Sequence, residues 1–343
     1  MKKILGLIFI LSLTINSNAQ TRLSSGDSIK VFYDSLFTTF KSDYLLKNEV
    51  DWTEVETEIK GNLAKFTNFK SSLSQTTILF DKIKATHCQL YYYDTVYTAT
   101  SKIFTEKDFS EQWLKKYSNN PVFEVQVIDK NYGYILMPAM NFEDISPENI
   151  NELAQPMYDQ IAEVKSKNNI KGWIIDLRFN TGGHVYPMLL ALYDFLGNNV
   201  VYGVLDNNKK LISSTNLNNG NYYDNKNKTS WIKPKGKKLI KSKVALVTGI
   251  VTGSSGEITA ISFKGRKNTL IIGEITSGTT TTNEKREFPF GIYMAFTVGY
   301  DCDRNGNFYD VIIPDIAITK RDNFDNLLLD ENIQEAIKWM NKK

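Results

Sequence analysis

The stretch Gly172-Trp173-Ile174-Ile175-Asp176-Leu177-Arg178-Phe179-Asn180-Thr181-Gly182-Gly183 decides how this chain reads. An apolar run of strand length ends in a carboxylate and is punctuated by Asn and two glycines. That is the pattern of a strand leaving a sheet through a tight corner into a helix. Backbone amides exposed at such a corner can hold a developing oxyanion. Chemistry there would still need a nucleophile and a base from elsewhere.

Outward from this corner, strand and helix patterns alternate. Phe123-Glu124-Val125-Gln126-Val127 alternates as a strand does, and Tyr132 to Met137 is a second strand. Residues 147–167 read as a helix with Pro147 in its first turn. A helix follows the corner from about Tyr186 to Leu196. Lys243 to Val247 and Leu270 to Gly273 are further strands, with a helix from about Ser255 to Phe263 between them. A hairpin around 286–300 and a last helix at 325–341 complete this half. Such alternation predicts an α/β core with largely parallel pairing. Residues 206–238 are rich in Asn, Lys and Gly and read as a polar interruption, either a surface excursion or a small hairpin. Residues 25–84 read as helical, with Val31, Phe32, Leu36, Phe37 and Phe40 at helical spacing and a helix start at Asp51-Trp52-Thr53-Glu54.

The 343 residues are 42% hydrophobic and 23% charged, an ordinary globular composition. With 41 basic and 38 acidic residues, the balance gives no electrostatic footprint for nucleic acid. Lys2 and Lys3, the apolar run Ile4 to Ile15, and Ser17-Asn18-Ala19 read as an export signal with a cleavage site before Gln20. The run is shorter than the roughly 20 residues of a spanning helix. A periplasmic or secreted protein is expected, with no membrane anchor after cleavage. The expected organisation is a signal peptide over 1–19, a small helical domain and linker strand over 20–120, and the α/β core over 121–343. Export permits a disulfide between Cys88 and Cys302, but two cysteines make no framework and two unpaired buried thiols are the preferred reading; no zinc spacing exists. Asp301 to Gly306 matches the first half of a calcium loop, but Ile312 stands where the twelfth-position Glu belongs, so an Asn-Gly turn is expected and no metal.

The chemistry centres on Thr248-Gly249-Ile250-Val251-Thr252-Gly253-Ser254-Ser255-Gly256-Glu257-Ile258. A serine at a helix entry has its hydroxyl beside unpaired N–H groups, which suits a nucleophile whose attack creates an oxyanion. On this segment alone an N-cap explains the serines equally well. The chain has 2 histidines, His87 and His184, so the choice of an imidazole base is narrow.

Asp176 to Gly183, Ser254-Ser255-Gly256-Glu257, Gly273-Glu274-Ile275-Thr276-Ser277-Gly278 and Ile313-Pro314-Asp315-Ile316 occur in that order over roughly residues 130–320. This set resembles the serine peptidase family of the C-terminal processing (tail-specific) proteases and the tricorn core protease. The resemblance implies a crotonase/ClpP-like α/β core behind the helical domain, and no cofactor. It implies Ser254 as nucleophile, with Ser255 as the alternative register. It also implies an oxyanion site at the amides of Gly183 and Ser255, with Gly182 and Gly256 beside them.

The base departs from the processing proteases. Their lysine follows Gly-Glu-x-Thr-x-Gly directly, and here that position is Thr279. The chain is closer to the tricorn-like branch, where a Ser-His pair near the start of the core supplies the base. Thr86-His87 is similar to that pair, so His87 is expected as base and Thr86 as its orienting neighbour. That branch also has a Glu shortly before its Pro-Asp motif. Asp310 is the nearest upstream carboxylate here and takes the expected third role. Glu257, near a helix start, reads as a charge stabilising the dipole, and Asp176 and Arg178 as a pin for the corner. Only about forty residues separate Cys88 from Tyr132, too few for a PDZ domain. The expected activity is that of an exported serine peptidase acting on peptides or proteins. The competing readings are a degraded peptidase scaffold that binds peptides or apolar ligands and, third, an esterase using the same serine.

Overall fold

The computed structural model describes residues 24–101 and 103–342. The export signal expected over residues 1–19 lies outside the described residues. Among those described, no helix is long and apolar enough to cross a membrane.

The N-terminal helices follow from their caps and stripes. Helix α1 (Ser25–Asp43) starts where the Ser24 side chain accepts the Asp27 N–H, and it buries Ile29, Phe32, Leu36, Phe37 and Phe40. Val31 turns to solvent instead. Helix α2 (Trp52–Leu63) starts at Asp51, whose carboxylate accepts the N–H groups of Thr53 and Glu54. Two short helices, α3 (Phe69–Ser72) and α4 (Gln75–Lys82), finish the layer. The chain then passes through strands β1 (Gln89–Tyr92) and β2 (Thr95–Thr98), helix α5 (Glu111–Ser118), and strands β3 (Glu124–Ile128) and β4 (Tyr132–Leu136).

The rest alternates as expected. Helix α6 (Pro147–Lys167) has Pro147 in its first turn and the Ser146 side chain as its cap. Strand β5 (Gly172–Asp176) leads through the glycine corner to α7 (Val185–Ala191) and α8 (Tyr193–Leu196). Strands β6 (Asn199–Leu205), β7 (Leu211–Asn218), β8 (Asn221–Asp224) and β9 (Asn227–Trp231) come next. The polar interruption is therefore a meander of sheet rather than a loose excursion. Strand β10 (Lys243–Thr248), helix α9 (Ser255–Phe263), strands β11 (Thr269–Gly273), β12 (Thr281–Phe288), β13 (Ile292–Asp303) and β14 (Ile316–Ala317), and helix α10 (Glu331–Asn341) complete the order.

Two sheets carry these elements. One has the order β14-β11-β10-β5-β4-β3 and is parallel except for β3. Its central strand β5 is buried along its whole length, because α6, α7 and α9 cover one face and α5 and α10 the other. The second sheet is antiparallel, β2-β1-β13-β6-β7-β8-β9, with β12 paired to β13 alone. Helices α1 to α4 pack on it through Phe288, Ile292, Met294 and Phe296, with the Phe40 ring 4.9 Å from that of Phe296. The α/β class and the N-terminal helices agree with the sequence reading.

Cys88 and Cys302 are both buried and unpaired. In the calcium-like stretch, the Asp303 carboxylate accepts the N–H groups of Asn305 and Asn307 and the Tyr309 hydroxyl. That hydrogen bonding builds a tight turn.

Candidate active site

Strands β5 and β10 lie side by side in the parallel sheet, so the loops leaving their C-terminal ends meet. The loop after β10 delivers Ser254 to the entry of α9. Ser254 has φ +50° and ψ −119°, a conformation that non-glycine residues rarely adopt. Two contacts hold it there. Its N–H donates to Thr279 Oγ1 at 2.7 Å and to Glu257 Oε2 at 3.2 Å. Glu257 is wholly buried, and its carboxylate also accepts the N–H groups of Gly278 and Thr279 at 2.9 and 2.7 Å. The hydroxyls of Thr276 and Thr279 donate to it as well. The carboxylate thus ties the serine turn to the 276–279 loop. Thr279, which stands where the processing proteases have lysine, takes part in that tie.

The Ser254 hydroxyl faces an imidazole. His87 Nε2 lies 3.2 Å from Ser254 Oγ, although 167 positions separate the two residues. On the far side of the ring, His87 Nδ1 lies 2.8 Å from Thr281 Oγ1. The His87 carbonyl accepts from Asn283 Nδ2 at 2.8 Å. Strand β12 therefore holds both the ring and the backbone of His87. Burial pushes the imidazole down to about 4, while the contact with Thr281 works the other way.

Two expected partners are elsewhere. The Thr86 side chain is exposed and has no hydrogen-bond partner among the described residues. It sits next to the inward-facing His87 in a turn that sends the two side chains apart. Asp310 is exposed, and it is its carbonyl, not its carboxylate, that receives the Thr280 hydroxyl at 3.2 Å. The loop after β13 folds around Asp303 and leaves Asp310 facing solvent. The atom expected to meet a carboxylate, His87 Nδ1, meets the Thr281 hydroxyl instead. His184 stands at the N-terminal end of α7 and contacts the Phe142 carbonyl at 3.0 Å; it lines the same cavity as Ser254 but makes no hydrogen bond to it. Lys285 pairs with Glu287.

The glycine corner closes the arrangement. Asn180 is fully buried: its Oδ1 accepts the Gly182 N–H at 3.1 Å, its Nδ2 donates to the Met137 carbonyl at 3.2 Å, and its carbonyl accepts the Gly253 N–H at 3.0 Å. Gly182 and Gly183 have φ of +120° and +95°. A Cβ on Gly182 would fall 2.8 Å from Ser254 Cβ, and one on Gly183 would fall 2.1 Å from the Met140 carbonyl oxygen. Both positions therefore exclude any side chain. The Ser255 hydroxyl donates to the Gly183 carbonyl at 2.5 Å. The N–H groups of Gly183 and Ser255 have no acceptor among the described residues, whereas those of Gly182 and Gly256 are taken by Asn180 and Gly253.

Behind the corner, Arg178 is 3% exposed and is bound by three carboxylates: Asp176, Asp322 at 2.5 Å and Asp330 at 2.7 Å. Burial alone would lower its affinity for a proton, but those carboxylates hold the guanidinium charged. Tyr134 donates to Asp176 at 2.9 Å, and Trp113 Nε1 to the Arg178 carbonyl at 3.2 Å. The network pins the corner to the C-terminal segment.

Sequence reasoning did not find Thr281, the Thr279–Glu257 tie or the Asn180 hub. The run Thr279-Thr280-Thr281-Thr282 was the available signal, but nothing in it marks which hydroxyl faces the ring.

The chain is similar to known proteins over this region. The sequence model of peptidase family S41 matches residues 131–318. Ser254 and the corner lie inside that match and His87 lies before it. Over 152 residues the chain is 34% identical to the nisin-resistance protein of Lactococcus lactis subsp. lactis, a match that takes in 44% of this chain and 47% of that protein. It thus spans about half the length of that relative. Among solved structures, a lipoprotein from Streptococcus agalactiae is similar at TM-score 0.65 and 19% identity, over 93% of this chain and 96% of that one. A candidate peptidase from Parabacteroides merdae ATCC 43184 is similar at TM-score 0.60 and 17% identity, over 94% and 98%. At these identities the likeness is one of fold.

Proposed function

This chain belongs to peptidase family S41, whose members are serine-type peptidases, and on that premise we propose that it is an exported peptidase with Ser254 as nucleophile and His87 as general base. Nδ1–H of His87 donates to Thr281 Oγ1, which leaves Nε2 as the acceptor for the Ser254 proton. Ser254 Oγ attacks the peptide carbonyl. The free N–H groups of Gly183 and Ser255 receive the oxygen as it gains charge. His87 then returns the proton to the leaving amine, and water hydrolyses the acyl-enzyme by the same route.

The observation that carries this reading is the 3.2 Å approach of His87 Nε2 to a serine held at φ +50°. A strained residue within reach of a base is an expected setting for a nucleophile. Export rests on the signal read over residues 1–19. A peptide substrate is supported by family membership and by the Lactococcus relative, which is named for nisin resistance.

A second reading has its own observation. Thr281 stands where a carboxylate would orient the imidazole, and Thr279 where a lysine would serve, as expected of a scaffold that only binds peptides. A fluorophosphonate probe separates the two. On the peptidase reading the wild type is labelled, Ser254→Ala abolishes labelling, His87→Ala nearly does, and Ser255→Ala retains it. A folded wild type that binds peptides without labelling would establish the scaffold instead.

A further inference from the structure

Asn225 to Lys243 holds 8 lysines and no acidic residue, which leaves 33 basic against 38 acidic residues in the rest of the chain. The positive charge of a nearly balanced protein is therefore gathered in one segment. It covers β9 and the loop that leads from it into β10.

That loop is held from within. The Lys233 N–H donates to Gln155 Oε1 and the Lys235 N–H to the Tyr158 hydroxyl, both at 2.6 Å and both on α6. The Leu239 N–H donates to the Asp194 carbonyl at 2.7 Å. The carbonyls of Leu239 and Ser242 accept from the buried Arg266 at 3.0 and 2.7 Å. The backbone thus spends its polar groups inward, and the lysines stand outward. Lys235 pairs with Asp159, and Lys243 donates to carbonyls at the end of α10. Lys226, Lys233, Lys237 and Lys241 are exposed and make no ion pair among the described residues.

The sheet extends this face. Strands β4, β5, β10 and β11 are adjacent and parallel, so all four enter at one edge. Exposed Lys130, Lys171, Lys241 and Lys267 each precede one of them by one or two residues. At a strand spacing of about 4.8 Å, they span roughly 15 Å. Asp129 is the one acidic residue within two positions of these four. Ser254 follows the opposite end of β10, whose 6 residues run about 20 Å at ~3.3 Å each. Contact at the basic edge leaves the serine end free.

Two observations say what covers such a face. Ile240 is 45% exposed and stands in sequence between Lys238 and Lys241. A soluble polyanion has no place for an aliphatic side chain, whereas the headgroup layer of an anionic bilayer takes both charge and methyl groups. Among the described residues no helix can cross a membrane, so contact would be at the surface.

We propose that this lysine face docks on an anionic lipid bilayer, with Ile240 entering the headgroup layer. The proposal is independent of the reading of Ser254. It is tested by sedimenting the processed chain, from Gln20, with vesicles of phosphatidylcholine alone or mixed equally with phosphatidylglycerol. Binding should be at least about 100-fold tighter to the mixed vesicles and vanish near 1 M salt. At about fivefold per lysine, changing Lys226, Lys233, Lys237 and Lys241 together to Gln should weaken it by about 100-fold or more. The same change at Lys65, Lys70, Lys84 and Lys107 removes equal charge elsewhere and should cost under about threefold. Ile240→Ser should cost about fivefold. All of these side chains are exposed, and circular dichroism verifies the fold of each variant. No preference for the anionic vesicles, or equal losses in the two fourfold variants, would overturn the proposal. Binding to soluble polyphosphate as tight as to vesicles, with Ile240→Ser unchanged, would assign the face to a polyanion and overturn the bilayer.

Discussion

Replacing Thr281 with aspartate should move the acid limb of the pH–rate profile toward neutrality. The proposed base must be uncharged to accept the serine proton. Burial holds His87 at about 4, with no carboxylate against Nδ1 to oppose it. At pH 5 such a group is about nine-tenths neutral, whereas an ordinary histidine near 6.5 is about 3% neutral, roughly a 30-fold difference in competent enzyme. The wild type should therefore keep its kcat/KM down to about pH 5 and lose it near 4. In Thr281→Asp, a carboxylate within hydrogen-bond reach of Nδ1 favours the imidazolium by about one to three pH units. The limb then falls between about pH 5 and 7, and at pH 5 the variant runs about 2- to 100-fold below its own plateau. Thr281→Val gives the complementary case. Without the acceptor the tautomer is no longer fixed, and a loss of about tenfold at neutral pH is expected with the limb near its original place. The assay is kcat/KM on a fluorogenic peptide from about pH 3.5 to 8, paired with fluorophosphonate labelling rates. The same shift predicts a stability trend. Between about 6.5 and 4 the unfolded chain takes up a proton that the folded one refuses, so stability falls as pH falls through that window, by at most about 3 kcal/mol. A wild-type limb centred near 6.5, or one that stays in place in Thr281→Asp, would refute the reasoning.

Two other perturbations test the frame around the site. Arg178→Met leaves Asp176, Asp322 and Asp330 without their shared cation and should cost about 3–5 kcal/mol in a denaturant melt; a cost under about 1 kcal/mol would show that the network does not pin the corner. Burial pushes the Asp301 carboxyl up to about 7, against the Thr282 hydroxyl and with help from Glu257. The folded chain therefore binds more protons than the unfolded one between about 3.8 and 7, and stability drains away as pH rises through that window. Asp301→Asn should melt higher than the wild type at pH 8 and no higher at pH 3.5; the opposite order would contradict the sign.

What was legible in the sequence was what neighbouring residues enforce. Helix α6 begins at Pro147 and α9 runs Ser255–Phe263, as the caps and apolar runs imply. The meander β7 to β9 was not legible, because its strands keep one face in solvent and carry Ser, Thr, Asn and Lys that resemble loop. In the site, Ser254 and the glycine corner could be found locally. The partner of His87 could not, since Thr281 stands 194 positions away and its hydroxyl has no pattern of its own. Asp310 was chosen by its place before Pro314-Asp315. Place in the chain does not determine which way a loop faces.

The 167 positions between His87 and Ser254 also set an order of events. A chain made from its N-terminus presents the proposed base early. The serine follows much later, and Thr281 later still. Until β12 has joined β13 and drawn Thr281 under the ring, no segment carries the three groups together. A site built this way has none of its proposed chemistry until its sheet has closed.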